Sequence, residues 1–138
     1  MAGRVRGAAR PGGQAAGVPV GELLAPGARP LKLRLLAGRR GLERRIAQSR
    51  VQRPGLALSG YTDYLTYGRV QILGGSEMGY LGTLGRRERT AALRRLAGSE
   101  VSCFVVTRGL EAPRELLAAA QRRGVPVLAT PIESTPFI

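Results

Sequence analysis

The stretch Val101 to Thr130, VSCFVVTRGLEAPRELLAAAQRRGVPVLAT, decides the fold. VSCFVV has no polar alternation beyond Ser102, so it reads as a strand buried on both faces, like a central parallel strand. Pro113 then stands at a helix start, with Glu115 in the first turn. Leu116, Leu117 and Ala120 fall on one face of that helix. Arg122 and Arg123 complement its C-terminal dipole before Gly124 ends it. VPVLAT supplies the next strand. Two strands joined by one helix predict a right-handed parallel crossover.

Some thirty residues upstream lies a second informative stretch, Arg50 to Gly74, RVQRPGLALSGYTDYLTYGRVQILG. Arg53 is pushed into extended backbone by Pro54, and Pro54 can open a short helix, PGLALSGY, closed by Gly60. RVQIL (69–73) reads as a strand ended by Gly74-Gly75. Ser76 is placed to cap a helix running through Met78, Tyr80 and Leu81. RRERTAALRRLA (86–97) predicts a further helix, with Ala92, Leu93 and Leu96 inward and Arg87 and Arg94 outward. Gly98 terminates it.

Toward the N-terminus, VPV followed by GELLA predicts a short strand running into a short helix, broken by Pro26-Gly27 and Pro30. LKLRLLA (31–37) alternates Leu31, Leu33 and Leu35 with Lys32 and Arg34, as a half-buried strand does. GRRGL turns the chain and LERRIAQSRVQ returns as a second strand, so a hairpin-like pair is expected. Residues 1–17 are rich in Gly, Ala and Arg and contain no acidic residue. Such a segment buries too little surface to offset its ordering entropy, and it is read as a disordered basic tail. Ser134-Thr135 before Pro136-Phe137-Ile138 reads as the cap and first turn of a helix cut short, so a longer protein is expected.

Composition narrows the chemistry. The chain has 138 residues, one domain's worth, and a formal net charge of +13 from 22 basic and 9 acidic residues. Lys32 is the one lysine; every other basic residue is arginine, as a GC-rich codon bias would also produce. A pI near 11.6 makes polyanions candidate partners. With no Trp, 4 Tyr and 2 Phe there is little for bases to stack on. No helix joins a basic face to a base-reading motif, so specific nucleic-acid binding is not expected. A nucleic-acid accessory role through the arginines would show a steep loss of affinity with salt. The absence of histidine excludes a Ser-His-Asp or Cys-His relay and an imidazole metal ligand. Cys103, alone and inside VSCFVV, reads as a small core hydrophobe in a reducing compartment. No apolar run approaches the ~18–20 residues that cross a bilayer, and the N-terminus lacks the apolar centre of a signal peptide.

In a largely parallel α/β sheet, ligands bind beyond the carboxyl ends of the strands. Thr107, Arg108 and Gly109 fall there after VSCFVV, and Thr130 occupies the equivalent end of the next strand. Arg108 can fork onto a phosphate or carboxylate, with Gly109 letting the backbone approach. The alternative is that Gly109 makes a turn while Arg108 pairs with Glu111. Arg53, Tyr61 and Asp63 admit two readings as well: lining a cleft with Thr107-Arg108-Gly109, or standing beside a tight corner shaped by Pro54, Gly55 and Gly60. The candidate cleft therefore comprises Arg53, Tyr61, Thr107, Arg108, Gly109 and Thr130. Gly74-Gly75-Ser76 is the nearest thing to a phosphate loop. It lacks the lysine and is better read as a capped turn.

Taken together, RPGLALSGY with the following DY, RVQILG, TRGL and VPVLAT resemble the N-terminal domain of HPr kinase/phosphorylase. That bacterial regulator phosphorylates and dephosphorylates a serine on the phosphocarrier HPr. The resemblance covers roughly residues 18–138 and stops where the family's kinase domain would begin. It implies an α/β fold, three-layer α/β/α with a mixed, partly parallel sheet, similar to the Mur ligase N-terminal domain. It also implies that the family's ATP site, metal-binding acid and catalytic aspartate belong to the absent domain. Hence no catalytic residue, cofactor or metal is expected in this chain, whereas the full-length enzyme would use ATP and magnesium. The implied role is non-catalytic assembly or regulation within a cytoplasmic, homo-oligomeric enzyme that meets HPr through its other domain and controls carbon metabolism or sugar phosphotransferase signalling. The alternative is a free-standing module of the same fold that senses a phosphorylated metabolite or nucleotide-sugar near Arg108.

Overall fold

The computed structural model describes residues 17–47, 54, 68–99 and 101–133. The chain enters through a two-residue strand, β1 (Val18–Pro19), and two 3-10 helices, Val20–Leu24 and Pro26–Leu31. Strand β2 (Arg34–Ala37), a 3-10 turn (Arg39–Gly41) and the short β3 (Arg45–Ile46) follow. After β4 (Val70–Leu73) come helices α1 (Gly75–Gly82) and α2 (Arg86–Ala97). Strand β5 (Cys103–Val106), helix α3 (Arg114–Arg123) and strand β6 (Val127–Ala129) complete the described chain.

The main sheet has the order β2-β6-β5-β4. Strands β4, β5 and β6 run parallel, and β2 joins the edge antiparallel to β6. Period-two alternation sorts the side chains of β5 between two cores. Phe104 and Val106 face α1, α2 and α3, where Leu81, Leu93, Leu96, Leu116 and Ala120 close over them. Cys103 and Val105 face the other way, onto Val20 with Leu23, Leu42 and Ile46. The fold is thus α/β in three layers. Among the described residues the second outer layer is 3-10 and short-strand chain rather than α-helix.

The predicted β5–α3–β6 crossover forms, and α2 covers the expected residues, with Ala92, Leu93 and Leu96 buried. Helix α3 ends at Gly124 in the left-handed region, φ 68°, as glycine permits.

Three local expectations are corrected. The hairpin-like pairing of residues 31–37 with the segment after Leu42 does not form. Instead β2 pairs with β6, and β3 pairs with β1. Leu33 and Leu35 pack into one core and Leu36 and Ala37 into the other, so β2 needs both faces covered and takes an edge of the main sheet. The strand also starts later than its pattern suggested: Leu31 closes a 3-10 helix and Lys32 is left-handed at φ 53°. Ser76 is not the cap of α1. Gly74 holds that position, and Glu77 reaches back to accept from its N–H at 2.8 Å. The expected helix after Pro54, the basic tail of residues 1–16 and the helix start at Ser134 lie outside the described residues. Pro54 itself is buried.

Candidate functional site

The carboxyl ends of β4, β5 and β6 lie side by side, and the residues following each define the site. After β5 the chain turns through Thr107, Arg108, Gly109 and Leu110, closed by a bond from the Leu110 N–H to the Thr107 carbonyl at 3.1 Å. Both central residues have positive φ, 61° at Arg108 and 67° at Gly109. That is the mirror-image turn usually made by Asn and Gly. Arginine there is held against its preference, and such backbone persists only where surrounding bonds impose it. Those bonds are present: the Arg108 N–H donates to the Ile132 carbonyl at 2.8 Å and the Gly109 N–H to the Thr130 carbonyl at 3.0 Å.

The turn directs the Arg108 side chain toward the start of α1. A Cβ on Gly75 would stand 3.1 Å from Arg108 Nη1, so the guanidinium lies against the first residue of that helix. The first N–H groups of a helix have no intrahelical acceptor and carry partial positive charge. A cation is disfavoured there unless an anion joins it. Glu77 supplies one carboxylate, buried at this helix end. Arg108 itself is exposed, and the expected pair with Glu111 does not form among the described residues.

The other predicted residues divide. Thr107 is fully buried, and its Oγ1 has no hydrogen-bond partner among the described residues. Thr130 serves the scaffold: its hydroxyl donates to the Leu31 carbonyl at 2.6 Å and accepts from the Ile132 N–H at 3.3 Å. Gly109 shapes the turn, but its N–H is already bonded, so it offers no donor to a ligand. Arg53 and Tyr61 lie outside the described residues, as does Asp63. The structure therefore brings Thr107, Arg108, Gly109 and Thr130 together with Gly75 and Glu77. Sequence reasoning met Gly74-Gly75-Ser76 as a capped turn and did not join it to Arg108. The two are more than thirty residues apart, and the adjacency of β4 and β5 alone unites them.

Among the described residues no group of His, Cys, Asp and Glu is arranged to hold a metal ion. No helix among the described residues is long and apolar enough to cross a membrane. Burial pushes the Cys103 thiol up to about 12, against a smaller opposing pull from Arg44, so it is no nucleophile at neutral pH.

Comparison with known proteins gives the family and a likeness in fold. The family model for the HPr Serine kinase N terminus matches residues 18–138. An HPr kinase/phosphorylase of Geobacter sulfurreducens is 46% identical over 108 residues, which are 78% of this chain and 34% of that protein. The HPr kinase/phosphorylase of Latilactobacillus sakei is 38% identical over 106 residues, 76% of this chain and 34% of that protein. The chain thus spans about a third of the length of these curated relatives. In fold it resembles the CBS and DRTGG domains of the regulatory region of Clostridium perfringens pyrophosphatase, solved in complex with the activator diadenosine tetraphosphate. That likeness has a TM-score of 0.54 and 19% identity, over 79% of this chain and 41% of the other. The chain belongs to the HPr Serine kinase N terminus family.

Proposed function

We propose that the chain is the non-catalytic, regulatory or assembly domain of a bifunctional HPr(Ser) kinase/phosphorylase. The observation that carries this is the family match over residues 18–138, together with alignments of 108 and 106 residues that cover 34% of two enzymes bearing that name. The chain's own chemistry agrees. It has no histidine, and no lysine follows a glycine-rich loop as in a Walker-type nucleotide site. In this proposal the remainder of the enzyme binds ATP and magnesium, meets HPr and contributes to a cytoplasmic homo-oligomer that controls carbon metabolism or sugar phosphotransferase signalling.

The test mixes this chain with HPr, ATP and magnesium and follows phosphoserine. No signal above background is expected, and phosphorylation by the chain alone would refute the assignment. An antibody raised to the chain should detect a native species more than twice its 14.6 kDa. A native species at that mass would instead favour a free-standing module.

The second reading, a ligand-sensing role, is favoured by one observation: a left-handed arginine held against the positive end of α1. Such a site suits the phosphates of a nucleotide-sugar or phosphorylated metabolite. The complex formed by the pyrophosphatase regulatory region makes a dinucleoside polyphosphate a further probe. Calorimetry with these ligands should give heat with the parent chain and none with Arg108→Ala. Equal heats would remove the site.

A further inference from the structure

A second cationic feature lies on the helical face of the sheet, between α2 and α3. Each helix returns the chain to the start of the next parallel strand on that face, so the two run parallel. Between them is a groove. Its first part, about 360 Å³, contains the Arg89–Glu115 ion pair at 3.4 Å. Arg89 also donates to the Leu81 and Leu84 carbonyls, which makes it a strut holding the end of α1. The adjoining part, about 350 Å³, is different. The exposed Arg94, Arg122 and Arg123 line it with Ala119, and among the described residues no acidic side chain does so.

Arginines at helix C-termini have an ordinary explanation in the helix dipole. Two C-termini carry about half a negative charge each, which accounts for roughly one of the three positive charges. The end carbonyls are served by other donors as well. Arg40 Nη2 bonds the Gln121 and Arg122 carbonyls of α3. The Gly98 N–H bonds the Arg94 carbonyl, and Ser99 bonds those of Arg95 and Leu96. Among the described residues the side chains of Arg94, Arg122 and Arg123 form no hydrogen bond or ion pair. About two positive charges thus have no partner among the described residues. The floor is small by composition. Ala119 carries only a methyl group, and a Cβ on Gly98 would come within 3.1 Å of Arg123 Nη2.

We propose that this cleft binds a phosphoryl dianion, free phosphate or the phosphate of a phosphomonoester, through Arg94, Arg122 and Arg123. Guanidinium forks match phosphate oxygens in pairs, and two uncompensated charges match a dianion. Among the described residues no aromatic side chain lines the cleft to offer a base a stacking surface. A phosphomonoester's second proton leaves near pH 6 and that of inorganic phosphate about one unit higher, whereas the guanidiniums stay charged throughout. The chain has no histidine to confuse that signature. Among the described residues the one carboxylate of the groove is Glu115, in its first part, which Arg94 and Arg122 also line beside Arg86, Arg89 and Arg114; Glu115 is paired there with Arg89.

The experiment titrates the chain with inorganic phosphate and with glycerol phosphate at constant ionic strength, by calorimetry and phosphorus NMR. Affinity for glycerol phosphate should rise about tenfold from pH 5 to pH 8, following the dianion fraction, and affinity for inorganic phosphate more steeply still. Arg122→Gln with Arg123→Gln should weaken binding at least tenfold, and Arg94→Gln alone severalfold. Arg29→Gln with Arg34→Gln, which removes the same charge from exposed positions elsewhere, should change it less than twofold. Circular dichroism confirms that each variant is folded. Glycerol phosphate bound as well as inorganic phosphate identifies the monoester as the source; inorganic phosphate alone identifies the free ion. Equal losses in the two double variants would reduce the effect to general charge and overturn the proposal. Binding of a poly-glutamate peptide with the same variant dependence and no change between pH 5 and 8 would also overturn it, in favour of an acidic-peptide surface.

Discussion

Substituting Arg108 by alanine and by glycine separates its backbone from its side chain. The residue has φ 61°, and a left-handed L-residue costs roughly 1–2 kcal/mol. Alanine keeps that strain and glycine removes it. Glycine lowers stability in return through its freer unfolded chain, by about 0.4–1 kcal/mol. Arg108→Gly should therefore exceed Arg108→Ala by about 0.5–1 kcal/mol. Both variants also remove a guanidinium from the positive end of α1, which contributes about 0.3–1 kcal/mol at low ionic strength. The expected order is Arg108→Gly, then Arg108→Ala, then the parent chain, with the last gap closing in high salt. Urea unfolding with linear extrapolation measures it, and a change in midpoint at constant slope reports stability alone. A residue kept for binding is thus expected to cost stability where it stands. If Arg108→Ala were less stable than the parent by more than about 1 kcal/mol, the side chain would be a scaffold element and the reasoning would fail.

Three further outcomes follow from the packing. Cys103 is fully buried, so a thiol reagent should label it only at the rate of global opening; because its folded pKa of about 12 lies above the ordinary 9.0, the unfolded thiol ionises first and stability should decline as pH rises from about 9 toward 12, a slope that Cys103→Ala abolishes. Gly38 has φ 77°, and a Cβ there would meet the Val125 carbonyl, so Gly38→Ala should cost at least about 2 kcal/mol by denaturant unfolding, whereas Gly79→Ala on an open helix surface should not destabilise. A hydrogen bond from its own backbone N–H holds the Glu115 carboxyl below the ordinary range against partial desolvation, and Arg89 and then Arg86 add to this; its contribution is complete above pH 4.5 and lost as pH falls through the lowered value, so Glu115→Gln should flatten that part of an acid titration of stability.

The middle of the fold was legible because its signals are local. VSCFVV has one composition on both faces, and burial on both faces is what an inner parallel strand experiences. Pro113, the Leu116–Ala120 face and Gly124 start, orient and end α3 without reference to other elements. Helix α2 is equally self-contained. The short segments were different. A two-residue β3 has no periodicity to read, and the alternation in residues 31–37 did not show that Leu36 and Ala37 would enter the second core.

By itself, then, the sequence determined the α/β class, the parallel crossover, the family and the strand end at which Arg108 sits. Each of these is written in residue spacing or in a run of matching words. Only the tertiary structure decided the partner of β2, the approach of Arg108 to Gly75 and the gathering of Arg94, Arg122 and Arg123 beside Ala119. Those depend on which strands lie next to one another and how two helices align on their common face. Local backbone preference carries no information about either, because long-range pairing is set by the burial of both faces of the sheet at once.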